Sequence, residues 1–324
     1  MEGKNIALLT TLLMVAGILL LGKPETHKTP LQEFREWRNQ YAQMQELTPQ
    51  EELYRLGVYQ KNLEVINQHN QLLGRSYDMG VNQFTALTQE EFEEQYLSKL
   101  PARQVVEAPK EETQNGLSLY VDWVTAGAVS PVKSQGSCGA TYAFSAVGAI
   151  EGAAFVIYKS QVELSVQQIV DCSQSFGNAG CASGTMVASF NYAIAYGLMA
   201  WNNYPWFGRL GSCNATGGPY KPKSYINVTS CSALDSAITR QPISVAVDGR
   251  NFNFYTSGIF TNCVNSSANV GLAALLVGAS DQSGNQYYKL KLSWGSNFGE
   301  QGYIRISKAY NSCGISSYPS YPNA

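Results

Sequence analysis

The sequence predicts an α+β protein in two successive parts, a helical amino-terminal segment and a cysteine-bearing domain that passes from helices into strands. Three observations predict it. Glu51, Arg55, Val58, Tyr59, Asn62, Ile66 and Asn70 recur every three or four residues, the spacing of a single helix face. From Tyr142 to Tyr158 small and apolar residues are so dense that a helix there must be buried on most sides. Further on the pattern changes to that of strands, in Pro242-Ile-Ser-Val-Ala-Val247, in Tyr255 to Phe260 and in Tyr287 to Leu292.

The chain has 324 residues, a net charge of -2 and 44% apolar content, enough for a globular core of one or two domains. No basic run or excess is present, which excludes nucleic acid as an expected partner. Ile6 to Leu21 is almost uninterruptedly apolar, with Lys4 before it and Lys23 after it. That is short for a span of about 20 residues, so residues 1–22 read as a secretory signal peptide, and no membrane association is expected once it is removed. Seven cysteines, all beyond residue 130 and without a CxxC pair, suit an oxidising compartment. Asn214, Asn227 and Asn265 each open an N-glycosylation sequon. The expected address is the secretory pathway, ending outside the cell or in a lysosome- or vacuole-like compartment.

Residues 26–100 are rich in Gln and Glu, lack cysteine and read as helices. Thr48-Pro49-Gln50-Glu51 has the order of a capping box with proline at the first helical position, and Thr88 to Glu91 repeats the box before a short helix. The Glu, Arg and Asn members of the stripe require fixed hydrogen-bond partners. Residues 101–117, with prolines, charges and no periodicity, read as an exposed linker and the expected processing region. The domain occupies residues 118–324, opening near Leu119 with Tyr-Val-Asp122-Trp123; its second half starts with a helix from Ala233 to Arg240, and Gly299 to Ile306 reads as a turn and strand.

Gln135 to Ser145, reading QGSCGATYAFS, resembles the active-site segment of the papain-like cysteine peptidases, whose local pattern is Cys-Gly-(Ser or Ala)-Cys-(Trp or Tyr). Cys138, Gly139, Ala140 and Tyr142 fit that pattern, and Thr141 stands where the resemblance puts the thiol. The polar stripe is similar to the ERFNIN helix of the family's propeptides, with Tyr59 where Phe is usual. Gly80-Val-Asn82-Gln-Phe84 resembles the downstream propeptide motif, with Ala86 in place of its Asp. Asp171-Cys172, Gly180-Cys181-Ala-Ser183-Gly184 and Ser293-Trp294-Gly295 resemble further family elements, Ser183 replacing a glycine and Phe298 a tryptophan. Residues 30 to 324 are thus similar to a cathepsin L-like preproprotein with an inhibitory propeptide.

The resemblance implies a two-lobed papain-like fold, a helical lobe beside an antiparallel β-barrel-like lobe, preceded by the propeptide. It implies disulfides between Cys138 and Cys181, Cys172 and Cys213, and Cys263 and Cys313, since spacing alone could not choose among the pairings. Cys231 is left as a free thiol, expected to be buried. It places Ser183, Gly184 and Trp294 along the substrate cleft and makes Gln135 an oxyanion-type donor. Aligned on Ala273 to Gly278, it puts Leu272 at the histidine position, and Leu292, before Ser-Trp-Gly, at that of the orienting asparagine. The only histidines are His27 and His69, both ahead of the domain. Leucine can neither transfer a proton nor orient an imidazole, and a threonine hydroxyl attacks only when a base takes its proton. The expectation is therefore a pseudopeptidase with no cofactor and no metal, holding peptide or protein ligands in the cleft. Residual hydrolysis through Thr141, and a propeptide that inhibits active papain-like relatives, are the alternatives.

Overall fold

A computed structural model describes residues 28–41, 46–97, 119–215, 217–263, 269–284, 286–309 and 311–323. The signal peptide, the linker at 101–117, His27 and Asn265 lie outside these residues. The chain divides into two units, 1–47 and 48–324. Within the first, α1 (Pro30–Tyr41) stacks Phe34 on Trp37, with ring centroids 5.6 Å apart.

The second unit opens with α2 (Pro49–Asn70), whose Thr48 capping box is formed in both directions. The polar stripe finds its partners in the turn that follows. Arg55 donates to the Ala86 carbonyl at 3.1 Å and to Glu91 at 2.5 Å. Asn62 donates to the carbonyls of Thr85 and Leu87, both at 2.9 Å, and Asn70 donates to Met79 O at 2.7 Å while accepting from Met79 N at 3.0 Å. These bonds hold β1 (Tyr77–Met79) and α3 (Gln89–Tyr96), the latter opened by the second capping box at Thr88. The segment expected to be wholly helical therefore contains a strand. Three residues give no readable alternation, and β1 exists because it pairs with a strand far along the chain.

The rest follows as β2 (Tyr120–Asp122), α4 (Thr141–Tyr158), α5 (Val166–Cys172), α6 (Met186–Tyr196), β3 (Ser224–Asn227), α7 (Cys231–Ile238), β4 (Ile243–Val247), β5 (Tyr255–Phe260), β6 (Leu272–Ser280), β7 (Tyr287–Lys291), β8 (Tyr303–Ser307) and β9 (Ser320–Asn323). The helix expected at Ala233 starts two residues earlier because the Ser230 side chain accepts from Ala233 N. The described strands form one sheet in the order β1-β5-β8-β7-β6-β4-β9-β3, with β2 on β6. All pairs are antiparallel except β5 with β8.

Two cores lie on either side of β6. Leu272, Ala274 and Leu276 point into the sheet-lobe core with Val245, Leu290 and Ile304. Ala273, Leu275 and Val277 point into the helical-lobe core with Tyr142, Ile150, Ile169 and Phe190. Period-two alternation sends neighbouring residues to opposite faces, so a strand buried on both faces reads as a continuous apolar run, which Leu272 to Val277 is. The small residues of α4 let it lie directly on this layer, where Ser145 Oγ donates to Ala274 O at 2.7 Å and Ser244 Oγ donates to Ser145 O at 2.9 Å. The fold is the α+β, two-lobed architecture with a helical segment ahead of it.

Gly258 on β5 has φ +93°, and a Cβ there would stand 2.5 Å from Ser76 O and 2.7 Å from the Tyr77 Cα. Gly258→Ala is expected to cost about 2 kcal/mol through left-handed strain and loss of the β1 pairing. The fall in the urea midpoint at unchanged slope checks it.

Candidate active site

Gln135 to Ala140 form a loop held from both lobes. Gln135 N donates to Ser293 O at 2.8 Å, and Gly139 N donates to Cys181 O at 3.1 Å. Cys138 is bonded to Cys181, and the other bridges join Cys172 to Cys213 and Cys263 to Cys313. Cys231 is free. It is partly exposed as the first residue of α7, not buried as expected, because the helix begins at it and turns its first positions to the surface.

Thr141 is the first residue of α4, after an Ala140 that offers no side-chain cap, and it is fully buried. A helix start carries the positive end of the dipole, a position that favours an anion. Leu272 and Leu292 are 0% and 2% exposed and belong to the sheet-lobe core that also contains Trp294 and Phe298. Leu272 lies so close to Gly249 that a Cβ on that glycine would meet its Cδ2 at 2.6 Å. The two leucines are core residues in this state of the chain.

The Gln135 carboxamide is buried and bonded inside the protein at both its oxygen and its nitrogen. Its Nε2 donates to Cys138 O at 2.9 Å and its Oε1 accepts from Ser293 Oγ at 2.6 Å. Gly184 is explained by packing: a Cβ would meet the Tyr142 ring at 2.5 Å and Asn178 Oδ1 at 2.6 Å. Tyr142 in turn donates its hydroxyl to Gly180 O at 2.8 Å, and Ser183 offers its carbonyl to Ala179 N at 2.8 Å.

Trp294 is enclosed by the amino-terminal segment. Phe84, Phe92 and Tyr96 stand edge-on to its ring at centroid distances of 5.2, 5.5 and 6.4 Å, and Phe298 is perpendicular to it at 4.8 Å. Gln83 Nε2 donates to Trp294 O at 2.8 Å, and Asn82 Nδ2 donates to Asn253 O at 2.7 Å. This ring cluster escapes sequence reasoning, because Phe84 and Trp294 are 210 positions apart. The only local signal is Phe92 and Tyr96 at i, i+4 on an otherwise polar helix.

A buried charge network surrounds a small pocket of about 30 Å³ lined by Ser130, Ser145, Glu151, Lys291, Leu292 and Ser293 among others. Glu151 accepts from Ser130 Oγ at 2.6 Å and from Leu164 N at 2.8 Å, while Lys291 Nζ donates to Ser130 O at 2.6 Å and to its Oγ at 3.1 Å. Lys133 pairs with Glu163, its ammonium 4.2 Å from the centre of the Trp201 ring. Burial raises the Glu151 carboxyl, and burial lowers the Lys291 ammonium to about 8. A lone Glu in the apolar run from Tyr142 to Tyr158 is the mark in the sequence that could have pointed to this network, although the run reads there only as a buried helix.

Asn214 and Asn227 are both exposed, the latter on β3 with Thr229 also exposed. Thr216, which completes the first sequon, is outside the described residues.

The family described as papain family cysteine protease matches residues 117–323, and the cathepsin propeptide inhibitor domain matches residues 34–92. Cathepsin J of Mus musculus is 35% identical over 333 residues, covering 97% of this chain and 98% of the relative. A cathepsin L-like proteinase of Fasciola hepatica is 35% identical over 302 residues, covering 89% and 92%. Among solved structures, digestive procathepsin L 3 from the larval midgut of Tenebrio molitor superimposes with a TM-score of 0.80 at 32% identity, covering 92% of this chain and all of that one. A recombinant stem bromelain precursor gives 0.79 at 29%, covering 91% and 98%.

The network makes stability depend on pH in a fixed direction. The folded Lys291 pKa, about 8, is below the unfolded value of 10.5, so above about pH 8 the unfolded chain binds more protons and stability rises with pH. Below that window the buried ammonium carries its full cost. Between about pH 8 and 9.5 the gain is expected to be about 1 to 2 kcal/mol. Urea midpoints across this range check it against Lys291→Met, which lacks the rise.

Proposed function

The chain belongs to the papain family of cysteine proteases, and we propose that within this family it is a catalytically silent member. One observation carries the reading. The positions that the family motifs assign to nucleophile, base and orienting amide hold Thr141, Leu272 and Leu292, and no histidine follows His69. A thiol at a helix start beside an imidazolium ionises near neutral pH, whereas a threonine hydroxyl does not. Loss of a whole triad costs about 10⁶ in kcat in serine peptidases. Set against a typical kcat of about 10 s⁻¹, that leaves roughly one turnover per day. The burial of both leucines supports the same reading.

The role left to such a domain is binding, with peptide or protein ligands against a floor made apolar by Leu272 and Leu292 once it is uncovered. A second reading, inhibition of active relatives by the amino-terminal segment, is favoured by the main-chain carbonyls of Asn253, Arg250 and Trp294 that receive its side-chain amides. Such contacts demand little of the receiving sequence. For the compartment, the bridges and the two exposed Asn sequons support the secretory route.

Two experiments test the silence. A thiol-directed epoxide probe is expected to leave position 141 unlabelled by mass spectrometry; an adduct at Thr141 would sink the reading. The triple change Thr141→Cys, Leu272→His and Leu292→Asn, freed of the segment before residue 118, is expected to release a fluorogenic peptide product, while Thr141→Cys alone is not. An isolated thiol keeps its pKa near 8.5 or higher among apolar neighbours. A folded but inactive triple variant would show that the cleft itself has changed shape.

A further inference from the structure

We propose that Lys291 is a covalent site for small aldehydes of one or two carbons, taken up by the pocket at the lobe boundary and condensed with its side-chain nitrogen. The pocket, about 30 Å³, has room for about two water-sized groups. Ser130, Glu151 and Lys291 share its lining with the apolar Phe144, Val147 and Ala273. A few convergent polar groups on an otherwise apolar wall suit a small carbonyl compound. Ser130 and Glu151 are buried, whereas Lys291 keeps part of its surface exposed.

A lysine attacks a carbonyl only as the free amine, and this cluster favours that form. Burial lowers the Lys291 ammonium to about 8, so at about pH 7 roughly a tenth of it is free, against less than about 0.1% of an ordinary lysine. The proton has a route. Lys291 Nζ donates to Ser130 Oγ at 3.1 Å, and Ser130 Oγ donates to Glu151 at 2.6 Å, a carboxylate that burial makes readier to take a proton. The free amine can keep both its hydrogens on Ser130, on the carbonyl at 2.6 Å and on Oγ, which leaves the third position to the lone pair. Of the other charges, Lys133 opposes the ammonium, while Glu151 and Glu163 support it less than burial disfavours it. Tyr303, opposite Lys291 on β8, has its hydroxyl pushed up to about 12 and stays neutral. The condensation balances within the pocket. Nitrogen attacks the carbonyl carbon, the N–C bond forms and the C–O bond breaks. The two protons that leave nitrogen depart with the oxygen as water, the first by way of Ser130 and Glu151. The iminium retains one N–H and the positive charge of the ammonium, so Glu151 still faces a cation.

The test uses the full chain and no variant, so nothing has to refold. Dilute formaldehyde is added at about pH 7 with cyanoborohydride, which reduces each iminium to a stable secondary amine, and peptide mass spectrometry follows the rate at every lysine. Lys291 is expected to be methylated at least about tenfold faster than the exposed Lys159 and Lys221. Its rate is expected to level off above about pH 8, while theirs still climb. Benzaldehyde, too large for the pocket, is expected to mark Lys159 and Lys221 and to leave Lys291 untouched. A rate at Lys291 no greater than that at Lys159, the behaviour of an inert structural pair, overturns the proposal. So does benzaldehyde on Lys291, or methylation of Lys133, which lines the same pocket, in its place. Labelling is read at residue 291 and catalytic silence by product release, so either can fail without the other.

Discussion

The burial of β6 on both faces is the constraint from which the rest of the molecule follows. Because alternate residues of Leu272 to Val277 serve different cores, neither lobe can be completed without the other, and α4 must lie flat on the layer between them. That placement sets the start of α4, and hence Thr141, beside the loop that Ser293 and Cys181 hold in place. It also closes polar groups in at the lobe boundary, where Ser130, Glu151 and Lys291 satisfy one another. Buried ionised groups persist where their hydrogen bonds are complete.

The same constraint explains why leucines are tolerated at 272 and 292. Leu272 begins a strand whose inward side is already apolar, and Leu292 follows β7 among aromatic rings, so both complete a core instead of leaving a polar gap. The Gln135 carboxamide likewise bonds to Cys138 O and Ser293 Oγ within the protein.

Much of this could be read from the residues. The stripe from Glu51 to Asn70 announced fixed partners because its polar members sit on one face, and Arg55, Asn62 and Asn70 each find main-chain carbonyls of the segment that follows, Arg55 adding the Glu91 carboxylate. The two capping boxes placed both helix starts, since their chemistry is local. What stayed hidden is non-local. β1 has meaning only against β5, Trp294 only against Phe84, and the two faces of β6 only once both cores exist. The Cys231 thiol was misjudged because a helix start two residues early is decided by the Ser230 cap, a detail of geometry.

The sheet ends at β1 on one side and β3 on the other. An open edge of unpaired amides and carbonyls invites a strand from another molecule, and proteins blunt such edges with short strands and charge. β1 has three residues and arrives from the amino-terminal segment, whereas β3 has four, follows Lys221 and Lys223, and ends on the exposed Asn227 of a sequon. Loss of the amino-terminal segment would strip one of these guards and leave the backbone of β5 open along its outer side. The segment thus covers the outer side of β5 and leaves only the three-residue β1 as the margin of the sheet there.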